Sequence, residues 1–179
     1  IDELTVTDKG TAEVKNYISL KLTKPKVAEN QPFLVPKKSV FNKIIGDNPF
    51  ELEVASFLES RFSDVIAYAK NTMGEGGINF KIEYQAQDGN IREYYPDFFV
   101  KTGPNTFYIL ETKGREDLDD LLKIKRLVTW CKDINNAQSE YTYTPVYVKQ
   151  EKWDEVKQNL KSFQDLIEIF NVVDKEMAL

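Results

Sequence analysis

Two acids and an amine stand close together in the middle of the chain: Asp97, preceded by Pro96, and, fourteen positions further on, Glu111-Thr112-Lys113. On a strand, side chains alternate between faces, so Glu111 and Lys113 point one way and Leu110 and Thr112 the other. The segment around them is built of Phe107, Tyr108, Ile109 and Leu110. Burying a carboxylate and an ammonium in such company is costly unless each is paired or metal-bound. A local salt bridge would account for one pair. Asp97 adds a second hard oxygen donor, and Mg²⁺, which keeps most of its waters, needs no larger carboxylate supply. An ion held by Asp97 and Glu111 would polarise a phosphodiester oxygen, lower the pKa of a bound water and stabilise a pentavalent transition state. Lys113 would orient that water or neutralise developing charge. Mn²⁺ is the expected substitute for Mg²⁺.

A fourth acid, Glu51, lies within the arc made by Val54, Ala55, Leu58 and Phe62 at helical spacing, whereas Glu53 faces the opposite side. Two roles stay open for it. It joins the metal site, or, as the third residue of a helix capped by Asn48, it bonds back to the cap. Lys125 falls on the line Leu121, Lys125, Val128; its head either reaches a DNA phosphate in the cleft or snorkels to solvent, and Lys123 is the second phosphate candidate. Trp130 and Cys131 are read as packing residues, since no histidine is present to activate the thiol.

The elements that must position these groups can be read from Asp47 onward. Asn48 caps and Pro49 suits the first turn of a helix. Val65 to Lys70 and Ile78 to Tyr84 read as strands joined by Met73-Gly74-Glu75-Gly76-Gly77, a loop without the Gly-Lys-Ser/Thr ending of a phosphate-binding loop. Asp88-Gly89-Asn90 is a hairpin turn. Tyr94 to Lys101 and Asn105 to Lys113 are the two central strands. Residues 115 to 134 form the longest helix on the stripe Ile124, Leu127, Val128, Cys131, followed by a strand, Tyr141 to Lys149, and helical patterns at Trp153 to Leu160 and Phe163 to Phe170. This order predicts an α/β (α+β mixed) fold, a central mixed β-sheet flanked by α-helices. The first forty-odd residues, with a strand near Val14 to Leu22 and Pro25, Pro32 and Pro36 after it, read as a connecting arm.

Composition narrows the chemistry. The chain has 179 residues and no histidine, which removes Ser-His-Asp triads, Cys-His dyads and His-ligated zinc. Its single cysteine makes no internal disulfide, no signal-peptide series is found, and a cytoplasmic home is expected. No apolar run is long enough to span a bilayer, so no membrane partner is expected. A net charge of −5 argues against tight nonspecific DNA binding, although a bound metal reverses the local field. Between Lys21 and Lys43 six lysines face Glu29 alone, a stretch that either touches phosphates or is a solvated surface. The start at Ile1 suggests a piece of a larger protein.

Taken with their surroundings, these residues resemble the PD-(D/E)xK nucleases. The succession Phe50-Glu51 with Val54-Ala55 and Leu58, Asp64-Val65, Tyr68-Ala69-Lys70, Phe80-Lys81-Ile82, Tyr95-Pro96-Asp97-Phe98 and Leu110-Glu111-Thr112-Lys113-Gly114, then Lys125 ahead of Trp130-Cys131, is similar to the C-terminal endonuclease domain of the restriction subunit of type III restriction enzymes. The resemblance covers about residues 45 to 170. It implies a restriction-endonuclease-like fold over residues 45–179, with residues 1–44 an arm handed over from an upstream motor region. It places Glu51, Asp97, Glu111 and Lys113 at the family's active-site positions, with Asp97, Glu111 and Glu51 as metal ligands. It also implies double-stranded DNA as substrate, ATP used only by an upstream helicase/ATPase domain, and a methyltransferase subunit that reads the site. Two alternatives stand beside it: a PD-(D/E)xK domain of another repair or phage enzyme, and a catalytically idle docking module of the same fold.

Overall fold

Asn48 opens the first helix as its sequence predicts: its side-chain oxygen accepts from the Glu51 amide at 3.0 Å, and Pro49 fills the first turn. A computed structural model describes residues 2–6, 12–20, 30–115 and 117–172 of the chain. The helix, α1 (Pro49–Ser56), widens into a π turn at Phe57–Arg61, where the Phe62 amide reaches back to the Phe57 carbonyl at 2.9 Å. Val54, Ala55, Leu58 and Phe62 are all buried, so the apolar arc read from the sequence is the packed face.

Before α1 lie β1 (Asp2–Val6) and β2 (Ala12–Tyr17), an antiparallel pair, and the short pair β3 (Phe33–Leu34) and β4 (Ile44–Ile45). The expected strand near Val14 is thus found earlier, and its Lys21-Leu22 end lies outside the described residues. Lys21, Lys24 and Lys26 of the basic stretch lie outside them too. Lys38, within that stretch, has a structural role, since its ammonium donates to the carbonyls of Leu58 and Phe62 at 3.3 and 2.7 Å and closes the π turn.

After α1 come β5 (Ala67–Lys70), β6 (Ile82–Gln85), β7 (Ile91–Tyr94), β8 (Phe98–Lys101) and β9 (Thr106–Lys113). Then follow α2 (Asp120–Ala137), β10 (Thr142–Lys149), α3 (Gln150–Val156) and α4 (Phe163–Phe170). The central sheet has the order β10-β9-β8-β5, antiparallel except for the β9–β10 pair. That pair runs parallel because α2 supplies the crossover a parallel connection needs. The result is a mixed α/β architecture with a mixed central sheet and helices on it.

Two expectations are corrected. Tyr94 to Lys101 is not one strand: Tyr94 ends β7, which forms a separate ribbon with β6 across the predicted turn at Asp88-Gly89-Asn90, where Gly89 has φ +83°, and β8 begins only at Phe98. Asn71 holds the break in place, for its side chain donates to the Phe80 and Pro96 carbonyls and accepts from the Phe80 amide. The long helix starts at Asp120 and not at residue 115, because the preceding acids are engaged in a turn. Asp119 accepts from Arg92 at 3.0 Å, from the Gln87 amide at 3.2 Å and from the Tyr84 hydroxyl at 3.3 Å, fastening the ribbon.

The two faces of the sheet are told apart by their aromatic contacts. Phe80 packs edge-on against Phe99 and Trp130, and Trp130 against Tyr143, on the α2 side. Tyr108 meets Phe163, and Phe57 meets Trp153, on the side of α1, α3 and α4. Cys131 is buried, and burial pushes its thiol up, so it packs and does not react. The C-terminal helices also grip α1 through polar bonds. Glu53 accepts from the Trp153 indole at 3.1 Å and from Lys157 at 2.8 Å. Asp64 accepts from the Phe163 and Gln164 amides at 2.8 and 2.9 Å, capping α4 from about a hundred residues away. Among the described residues no helix is long and apolar enough to cross a membrane.

Candidate active site

Where β8 and β9 meet the start of α1, a cleft of about 540 Å³ is lined by Glu51, Asp97, Glu111, Thr112, Lys113 and Arg115, with Gln150 at its edge. Four elements deliver these groups. Glu111 and Lys113 close β9, Asp97 immediately precedes β8, Glu51 sits in the first turn of α1, and Gln150 opens α3.

Asp97 is held from both sides. One carboxylate oxygen accepts from the Thr112 amide at 2.8 Å and its hydroxyl at 2.6 Å; the other is 3.1 Å from the Lys70 ammonium. Thr112 therefore faces away from Glu111, as alternation requires, yet belongs to the site by drawing Asp97 over the end of β9. Behind it, Asn71 donates to the Pro96 and Phe80 carbonyls, both at 2.8 Å, and accepts from the Phe80 amide at 3.1 Å. Asn71→Ala would leave these buried backbone groups without partners, and a loss of about 3 kcal/mol in unfolding free energy is expected, read by urea denaturation. A change within about 0.5 kcal/mol would show that Asn71 does not brace the Pro96-Asp97 turn.

Of the two roles read for Glu51, the structure shows the cap. Its carboxylate accepts from the Asn48 side-chain amide at 2.6 Å and from the Asp47 backbone amide at 2.9 Å, a reciprocal cap one residue earlier than expected. It also lines the cleft, 3.1 Å from Lys70 and only 5% exposed. Burial, then the Asp97 carboxylate, raises its pKa, against Lys70 and the Asp47 amide. Glu111 is pushed further, well above the carboxylate range, by burial and by Asp97, with the Tyr94 hydroxyl, Lys70 and Lys113 opposing. The Tyr94 hydroxyl donates to it at 3.0 Å, and burial together with the nearby acids keeps that phenol protonated.

Lys70 is the residue that sequence reasoning missed as part of the site. It is 2% exposed, and its ammonium meets Asp47 at 3.3 Å besides Glu51 and Asp97. Burial alone would lower its pKa, but the surrounding carboxylates outweigh that and raise it. The available signal was a lysine closing the otherwise apolar run Tyr68-Ala69 of a central strand. Arg115 was missed as well.

Lys113 lines the cleft but is drawn toward the start of α2, 2.8 Å from Asp120 and 3.3 Å from Asp117. Burial opposes its charge, and the hydrogen bond and charge of Asp120 hold it above the ordinary value. Lys123 shares the same acids at 3.1 and 3.2 Å. Lys125 is not in this cleft: it is exposed and lines a second, apolar cavity of about 360 Å³ with Leu121, Ile124, Tyr147 and Phe170. The structure thus brings together Glu51, Asp97, Glu111 and Lys113, and leaves Lys125 elsewhere.

Comparison with protein-family models, with characterised proteins and with solved structures finds no match. Chemistry has to be read from the donors alone. Among the described residues no three carboxylates form a ready-made metal cage. Mg²⁺ does not need one, because it is commonly held through one or two carboxylates with water completing its shell. Glu111 has one oxygen without a protein donor among the described residues, and Asp97 retains spare lone pairs on the oxygen that meets Lys70. These two fit such an ion.

Proposed function

We propose that this chain is a Mg²⁺-dependent endonuclease module that hydrolyses DNA phosphodiester bonds, with a restriction-endonuclease-like fold of the PD-(D/E)xK type. The observation that carries the reading is the arrangement: Glu51, Asp97 and Glu111 line one cleft, where burial first and then the Asp97 charge raise the pKa values of Glu51 and Glu111 against the pull of Lys70. A divalent cation is the natural remedy. Asp97 and Glu111 would hold it, with Glu51 behind them. When bound, Mg²⁺ polarises a phosphodiester oxygen and acidifies a coordinated water. Lys113 offers its ammonium to the attacking water or to the negative charge that develops on phosphate. Arg115, exposed at the mouth, is placed to grip a phosphate of the backbone. Thr112 and Lys70 fix Asp97, and Tyr94 fixes Glu111.

The sequence resemblance extends this reading to the cleavage module of a cytoplasmic type III restriction-modification enzyme, joined to an upstream ATP-driven motor and served by a methyltransferase subunit. A net charge of −5 fits a module whose DNA is held mainly by other parts. A second reading, a catalytically idle docking fold, is favoured by one observation: the Lys70 ammonium itself bridges Glu51 and Asp97.

Supercoiled plasmid incubated with the chain and Mg²⁺ or Mn²⁺ tests the proposal, nicking that needs the metal being the expected result. Mn²⁺ titration separates the two readings even where the motor is needed for cutting, because an idle fold has no use for the ion. The pH dependence has a defined sign. Raised carboxyl groups must lose their protons to bind metal, so Mn²⁺ affinity should rise by up to roughly tenfold per pH unit for each proton displaced, and level off above their pKa values. Calorimetry between pH 5.5 and 8 reads this, and a flat profile would count against Glu111 as a metal ligand.

A further inference from the structure

The Lys70 ammonium has three N–H donors and three carboxylates around it, those of Asp47, Glu51 and Asp97, each within 3.3 Å. It enters from the end of β5, where Lys70 pairs in register with Phe98, and its ammonium lies 5.4 Å from the centre of that ring. The acids beside it are left with unequal capacity. Of the Glu51 oxygens, one accepts from both Lys70 and the Asp47 amide, and the other from Asn48. One Asp97 oxygen is saturated by the two Thr112 donors. What remains for a cation is the Asp97 oxygen that meets Lys70 and the Glu111 oxygen that Tyr94 does not reach.

We propose that Lys70 is a built-in counter-ion standing where a second metal ion would bind, so that the cleft takes one divalent cation, through Asp97 and Glu111. This rests on the metal-dependent reading above. The ammonium is tethered by a strand and surrounded by oxygen, so it acts as a permanent charge between Glu51 and Asp97. It fixes both carboxylates before any metal arrives. Lys70 is thereby a positioning residue, acting on the reaction through Asp97.

The test is Mn²⁺ calorimetry and thermal melting of three chains: wild type, Lys70→Met, and the charge-balanced pair Lys70→Met with Glu51→Gln. Wild type should bind a single Mn²⁺. Lys70→Met should melt lower without metal, bind two Mn²⁺, and regain stability on metal addition by more than about 4 °C beyond the wild-type rise. Should Lys70→Met be unfolded without metal, folding on Mn²⁺ addition is the same expected recovery. The paired variant should fold without metal and bind a single ion. Two ions on the wild type, or a Lys70→Met chain that binds one ion or gains nothing from Mn²⁺, would overturn the counter-ion role and leave the metal site standing. No Mn²⁺ bound by any folded chain would overturn both.

Discussion

Replacing Asp97 by asparagine is expected to reduce metal-dependent DNA cleavage by at least about 10³-fold while the chain stays folded. The substitution keeps the shape but removes the charge that a divalent cation needs. Its remaining oxygen would be claimed by the Thr112 amide and hydroxyl, at 2.8 and 2.6 Å in the wild type. The new amide group would then face the Lys70 ammonium, donor against donor. Lys70 retains Glu51 and Asp47, so its burial remains compensated and a stability loss of about 1–3 kcal/mol is expected. Single-turnover plasmid nicking, a melting curve and Mn²⁺ calorimetry on one preparation decide the matter. Nicking at the wild-type rate would remove Asp97 from the reaction and the proposed centre with it.

Lys113→Ala is expected to behave differently. Cleavage should fall about 10²-fold, the scale of a lost proton-transfer or charge-stabilising group, while DNA affinity and Mn²⁺ affinity change little. Affinity is spared because Arg115 remains at the mouth, and metal binding because Asp97 and Glu111 are untouched. The fold is spared because Lys123 keeps the buried Asp120 paired at 3.2 Å after Lys113 is gone. Fluorescence anisotropy on duplex DNA, beside the nicking rate, separates the two roles. Equal losses in binding and rate would make Lys113 a phosphate grip, and an unchanged rate would leave its charge to the pairs with Asp120 and Asp117.

Local rules carried much of this architecture. The Asn48 cap, Pro49 and the arc of Val54, Leu58 and Phe62 state one helix in three independent ways, and the turn at Gly89 states a hairpin. Alternation along Phe107 to Lys113 was enough to separate Glu111 from Thr112. What stayed hidden depends on partners distant in sequence. The pairing of β5 with β8 leaves no trace in Ala67-Tyr68-Ala69-Lys70 itself, so nothing local says that Lys70 will meet Asp97, twenty-seven positions later. Lys125 kept two readings open for a related reason. Helical spacing gives the side from which a lysine emerges, but which cavity lies beneath it is set by β10 and α4. The start of α2 was read too early because acids suit a helix N-terminus and a tight turn equally well, and here Asp117 and Asp119 serve the turn.

The grip of the last helices on α1 bears on how the protein is made. Glu53 and Asp64 wait for Trp153, Lys157, Phe163 and Gln164, all about a hundred positions downstream. At ribosomal speed that separation is on the order of ten seconds. Throughout that interval Glu53 and Asp64 lack the donors that hold them in the finished fold. A chain released before α4 would carry the segment that bears Glu51 without the bonds that Glu53 and Asp64 make to α3, Lys157 and α4.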